Sequence, residues 1–158
     1  MKFPVRRVVT GHDENGRATV KIDSVMSNTR SLRPGHASHV VWSEPLEVDN
    51  DRDADGSQGK FSRVLENGTV FRIIKLEPNV QGALHRTNSL DYAVVVHGEC
   101  DMELDDGREV HLQAGDVLVQ RGTTHSFLNR SNGICLIAIV LISAKPATAG
   151  GKVLPAID

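Results

Sequence analysis

The 158-residue chain is poor in aromatic side chains, with one Trp, one Tyr and four Phe. Any core must therefore be filled by Val, Ile and Leu, and the branched members of that set suit pleated strands. Cysteine is scarce too. Cys100 and Cys135 stand alone, with no Cys-x-x-Cys spacing, which excludes a disulfide framework and a zinc ribbon. Each lies in an apolar or alternating stretch and reads as a buried free thiol in a reducing compartment. Basic excess is absent: 18 Lys and Arg face 20 Asp and Glu, for a formal charge of −2. Phosphate-backbone binding normally needs the opposite balance, so nucleic acid is not an expected partner. No run approaches the roughly 18 apolar residues of a membrane span, and "MKFPVRRVVTGHDENG" has no signal-peptide core. A cytoplasmic protein without a membrane partner is the expectation. Helical periodicity with caps is missing as well.

What the chain does have is a succession of short strand-like runs. From Gly68 onward these are "TVFRIIKLEP", "LDYAVVV", "CDMELDD", "REVHLQ", "DVLVQ", "HSFLN" and "CLIAIVLIS", separated by turn signals such as "HGE", "DDGR", "QAGD" and "RSNG". Such spacing is typical of sandwiches and barrels. The expected fold is all-β, one domain over 1–158, built as an antiparallel barrel or jelly roll that limits exposed edges. Within it, 1–67 supplies N-terminal strands and an acidic loop, 68–142 the barrel core, and 143–158 an extended tail.

Before the core, "RRVVTG" and "ATVKIDS" flank Asn15-Gly16 and predict a hairpin extension. "SNTRSLRPGHAS" reads as irregular, and "HVVWSEP" as a short strand stopped near Pro45. "EVDNDRDADGSQGK" should be exposed and mobile. Asp51, Asp53, Asp55 and Gly56 match the first half of an EF-hand loop, but its twelfth position is Ser62 where a bidentate Glu is needed. A solvated loop is the better reading.

Two segments carry candidate chemistry, "HRTNSLDYAVVVHG" and "GDVLVQRGTTHSFLN". In the first, Gly82, His85, Asp91 and Gly98 fit the first cupin motif, with Thr87 where a second His belongs, Asp91 in place of Glu, and Gly82 closer to the His than the motif usually has it. In the second, Gly115, Gly122, His125 and Asn129 follow the second cupin motif, with Gln120 in place of Pro. Over residues 82–129 the chain thus resembles the cupin superfamily of small β-barrels. That resemblance implies a site inside the barrel, frequent pairing of chains through their sheets, and oxygenase, isomerase, lyase or decarboxylase chemistry, among which a fold cannot choose.

The residues can be read without the family. His85 and Thr87 are two apart and share a strand face. Asp91 goes with Ala93 and Val95, opposite Tyr92, Val94 and Val96. If the Asp91 face points inward, His85, Asp91 and His125 can converge as two imidazoles and a carboxylate, a set able to hold Fe, Mn, Ni or Zn with open positions. Thr87 and Tyr92 are then the candidates for positioning a small organic substrate. The alternative is a metal-free, non-catalytic cupin that binds a small molecule or serves as an interaction module, since a neutral Thr87 hydroxyl is a poor ligand.

Other groups carry weaker signals. His36 and His39 are three apart and could reach one ion. Arg86 should point away from His85, toward a partner chain or an acid such as Asp101. Arg72 and Lys75 have opposite parity, so one of them can look inward at an anionic substrate group. No nucleophile elbow or phosphate loop is present.

Overall fold

A computed structural model describes residues 3–158, apart from the side chain of Leu32. Strands β1 (Arg6–His12) and β2 (Ala18–Val25) form the anticipated hairpin. Gly16 takes φ +73° in its turn, and the Asp13 carboxylate accepts from the backbone N–H of Asn15 and Arg17, both at 2.9 Å.

The next segment corrects the expectation of irregular chain. Residues Thr29–Arg33 form β3, which pairs with β4 (His36–Pro45) across a Pro34-Gly35 turn. Pro34 presets a negative φ and Gly35 takes φ +76°, so two residues that look like loop punctuation make a tight hairpin. The acidic segment that follows is exposed, as expected, but its end is tied down. Asp55 pairs with the buried Arg7 (Oδ2 at 2.7 Å from Nη2) and accepts from Ser57 N at the start of a 3-10 turn, Gly56–Gln58.

All seven anticipated runs of the core are strands: β5 (Gly68–Leu76), β6 (Ser89–His97), β7 (Glu99–Leu104), β8 (Glu109–Gln113), β9 (Val117–Arg121), β10 (His125–Leu128) and β11 (Cys135–Ser143). Every pairing is antiparallel. A six-stranded sheet has the order β3-β4-β5-β11-β6-β9, and a three-stranded sheet the order β10-β7-β8. The chain changes sheets between β6 and β7 at Gly98, which has φ +72° and lies against the Ile134 carbonyl where no Cβ fits.

The two inner faces meet over a core drawn from β5, β6, β7, β8 and β11. It includes Leu76, Val95, Met102, Leu112, Ile137, Ile139 and both cysteines. Each fully buried aliphatic side chain of this size contributes about 1.5–3 kcal/mol. Alternation along β11 shows the cause: Cys135, Ile137, Ile139 and Leu141 are buried while their neighbours are half-buried.

The tail forms a small hairpin of β12 (Thr148–Ala149) and β13 (Lys152–Val153) and then crosses the neighbouring loop, where Ile157 exchanges two backbone hydrogen bonds of 2.9 Å with Arg86. Among the described residues no helix is long and apolar enough to cross a membrane.

Candidate functional site

A cavity of about 140 Å³ opens on the inner face of the large sheet. Its apolar wall includes Ile74 and Leu76 of β5, Ile139 and Leu141 of β11, and Phe127 of β10. His85, Thr87, Asp91 and His125 all line it. The parity argument for β6 therefore holds: Asp91 is buried beside Ala93 and Val95 on the inward face.

The two histidines are brought together by the backbone. His85 N–H donates to the His125 carbonyl at 3.0 Å, and His125 N–H returns the bond to His85 at 2.9 Å. Residues that exchange both bonds project their side chains to the same side. The ring centroids lie 4.5 Å apart. Each Nδ1 is held by a main-chain carbonyl, Ala83 at 2.9 Å for His85 and Thr123 at 3.0 Å for His125. A carbonyl only accepts, so Nδ1 carries the proton and Nε2 keeps its lone pair. Burial lowers the pKa of both rings, that of His85 to about 4, with added repulsion from His125 and from Arg63 and Arg33. Two neutral imidazoles at pH 7 result. Gly82 belongs to the same construction: it passes so close to Ser126 and the Phe127 carbonyl that a Cβ would collide with both.

Asp91 is 2% exposed, and burial pushes its pKa up to about 6 against the opposing pull of the Ser89 hydroxyl. Its Oδ1 has no hydrogen-bond partner among the described residues. Thr87 is buried, and its Oγ1 receives the Ser89 hydroxyl at 2.8 Å.

The anticipated metal triad can be tested on these donors. The imidazole pair fits an ion, because carbonyl-held Nδ1–H groups are the usual support of metal-ligating histidines. Asp91 lines the same cavity, although among the described residues no group of three or more His, Cys, Asp or Glu side chains is arranged to hold one ion. Two arginines that repel a proton on His85 would oppose a cation as well.

Tyr92 is a correction. It is 50% exposed on the outer face of β6 and takes no part in the cavity, since its odd step from Asp91 turns it outward. His36 and His39 do not act as a pair either. His36 lines the cavity, whereas His39 faces the other side of β4, stacked on Phe3 with ring centroids 4.5 Å apart. Arg86 does point away from His85, but its acid is Asp105, at 4.0 Å, because Asp101 is taken by His111 and Arg130. Of Arg72 and Lys75, Arg72 faces inward; Lys75 pairs with Glu77 at 2.5 Å and lies over the Phe3 ring.

The sequence reading missed Arg30, Arg33 and Arg63, which join Arg72 in lining the cavity. One signal was available: residues 24–43 contain no Asp or Glu, so Arg30 and Arg33 have no acid nearby in the chain.

A double-sheet antiparallel jelly roll with paired histidines in its cavity is the architecture of a small cupin. Residues 72–142 match the cupin domain family. Over 94% of its length the chain is 32% identical to the cupin-domain-containing oxidoreductase fogC of Aspergillus ruber, covering 77% of that protein. It is also 33% identical to phomopsin biosynthesis cluster protein D of Diaporthe leptostromiformis, over 94% of this chain and 83% of that one. Among solved structures, the polyketide cyclase RemF of Streptomyces resistomycificus superimposes on 100% of this chain and 85% of its own, with a TM-score of 0.53 at 15% identity, a likeness of fold. The chain belongs to the cupin family.

Proposed function

We propose that this protein is a cupin-type enzyme that transforms a small organic molecule held in the cavity against His85 and His125. One observation carries the reading: two neutral imidazoles, each fixed through Nδ1 by a backbone carbonyl, present Nε2 lone pairs to a mostly apolar cavity. Relatives named as oxidoreductases, fogC and virC, support an enzyme over a passive container. In this reading an Nε2 accepts a proton from bound substrate, and Asp91, whose pKa is lifted to about 6, supplies or stores one nearby. Thr87 orients the substrate through its hydroxyl. The apolar wall seats the body of the substrate.

A divalent transition ion, Fe, Mn, Ni or Zn, is the other user of the same nitrogens. His85 and His125 would hold it, and when bound it would supply Lewis-acid or redox chemistry. Asp91 would be the third donor, and the proton-transfer reading itself needs no ion. The working unit is taken to be a pair of chains in a reducing cytoplasm, in keeping with the free Cys100 and Cys135.

The test has two arms. Protein purified without chelator is analysed for metals beside His85→Ala, and wild type is incubated with a pooled library of small organic acids and carbonyl compounds beside a His85→Gln/His125→Gln double variant. A compound converted by wild type alone, with substoichiometric metal, is the expected result. Near-stoichiometric metal lost in His85→Ala moves the chemistry to the ion. Binding without conversion of any compound, equal in the double variant, overturns the enzyme reading in favour of a non-catalytic binding module.

A further inference from the structure

The cavity holds far more positive charge than the molecule around it. Arg30, Arg33, Arg63 and Arg72 all line it, in a chain whose net charge is −2. Elsewhere the arginines of the fold are neutralised: Arg6 by Asp23 at 2.7 Å, Arg7 by Asp55, Arg52 by Glu44 at 3.1 Å, Arg86 by Asp105 at 4.0 Å and Arg130 by Glu109 at 2.6 Å. The remaining three, Arg17, Arg108 and Arg121, are exposed to water. The four cavity arginines lack an acid partner, and while Arg30, Arg33 and Arg63 are half-buried, Arg72 is buried outright. Among the described residues none has a carboxylate within ion-pair distance, and Asp158 of the tail acts on Arg63 only through longer-range attraction.

What they do have is scaffolding. Arg72 is 5% exposed, and its Nη2 donates to the carbonyls of Ser62 at 2.9 Å and Arg63 at 2.7 Å. Its Nε is buried without a partner. Arg30 donates to the carbonyls of Phe61 at 3.1 Å and Gly59 at 3.2 Å, and both Arg30 and Arg72 pack against the Phe61 ring. These bonds aim the guanidinium groups without cancelling their charge. Burial and mutual repulsion lower the pKa of Arg72 to about 10, so it stays charged at pH 7. Holding four like charges around one cavity, with Arg72 buried and the others partly withdrawn from water, is unfavourable unless a counter-charge arrives. Among the described residues Asp91 is the one acid lining the cavity; with its pKa near 6 it is largely ionised at pH 7, but a single carboxylate leaves the four guanidinium groups with an uncompensated positive excess.

From this geometry we infer that the cavity recognises a small organic carboxylate, with Arg72 and its arginine neighbours holding the anionic group and the apolar wall holding the body of the ligand. The guanidinium fork matches a carboxylate in two-point geometry. A volume of about 140 Å³ is close to that of a cavity known to take one benzene ring, so the body is about a ring in size. Ile74, Leu76, Ile139 and Leu141 give it an apolar seat, with the imidazole pair alongside. The inference rests on the cavity being the substrate site of the proposed enzyme, but it concerns binding and stands apart from turnover.

The test is calorimetric and thermal-shift titration with benzoate, its neutral isostere benzamide, and inorganic phosphate. Benzoate should bind and raise the melting temperature of wild type, and benzamide should bind at least tenfold more weakly. Arg72→Gln and, independently, Arg63→Gln should each weaken benzoate at least tenfold. Among the described residues the Arg63 side chain makes no hydrogen bond, and the carbonyl that receives Arg72 is main chain, so Arg63→Gln covers the case in which Arg72→Gln does not fold. The His85→Gln/His125→Gln double variant, whatever its absolute affinity, should still prefer benzoate to benzamide at least tenfold, which separates failure of anion recognition from failure of the catalytic reading. Equal binding of benzoate and benzamide, or benzoate binding unchanged in Arg63→Gln and Arg72→Gln, overturns the inference. So does phosphate binding as tightly as benzoate with the same arginine dependence, since the site would then read charge alone.

Discussion

At the scale of single residues, His85 and Asp91 are buried groups shifted in opposite directions, and their linkage to stability can be worked out. His85 has its folded pKa lowered from 6.5 to about 4, so its contribution is complete above pH 6.5 and lost as pH falls toward 4. Asp91 has its folded pKa raised from 3.8 to about 6, so its contribution is complete below pH 3.8 and lost as pH rises through 6. Between about pH 4 and 6 the two slopes oppose each other. In metal-free protein, Asp91→Asn should therefore lose stability on acidification relative to wild type, by up to about 1.4 kcal/mol per pH unit. His85→Gln should gain on the same scale. Urea titrations at pH 4.5, 5.2 and 6 check both signs, and parallel curves for all three proteins would contradict the burial argument. Facing was legible for Asp91, because strand parity is local; the pairing of His85 with His125 was not, because it depends on the backbone path of the 82–88 loop.

At the scale of elements, the turns determine where strands change sheets. Gly98 and Gly107 make a controlled comparison. Both have positive φ, +72° and +77°, but a Cβ at Gly98 would meet the Ile134 carbonyl while one at Gly107 would meet nothing. Gly107→Ala should cost about 1 kcal/mol, the backbone term alone. Gly98→Ala should cost about 2–4 kcal/mol, because the clash adds to it and the Ile134 chain must shift. Thermal melts of the two variants decide it, and equal losses would mean that the β6–β7 corner yields easily. The seven core strands were readable because apolar alternation is a local pattern. β3 was not: "TRSLR" has little apolar character, and it is a strand because β4 offers it an edge across the Pro34-Gly35 turn.

For the whole molecule, the outer face of the large sheet carries Tyr92, Val96, Val117 and Val119, exposed by 50, 49, 77 and 57%. Tyr92 lies directly across from Val119, and Val94 across from Val117, so they form one apolar strip on β6 and the edge strand β9. A second copy of the chain is the proposed cover, and sedimentation equilibrium of wild type should give twice the chain mass. Val117→Lys/Val119→Lys should shift it to a single-chain mass with the fold intact. A single-chain wild type would refute the pairing. Composition and alternation by themselves determined an all-β chain with two short histidine-bearing motifs, since period and spacing are properties of neighbours in sequence. Only the tertiary structure decided that Tyr92 is outside, that the two histidine rings lie side by side, and that four arginines share one cavity. Those facts depend on which strands lie side by side, and pairing is settled by burying the common core.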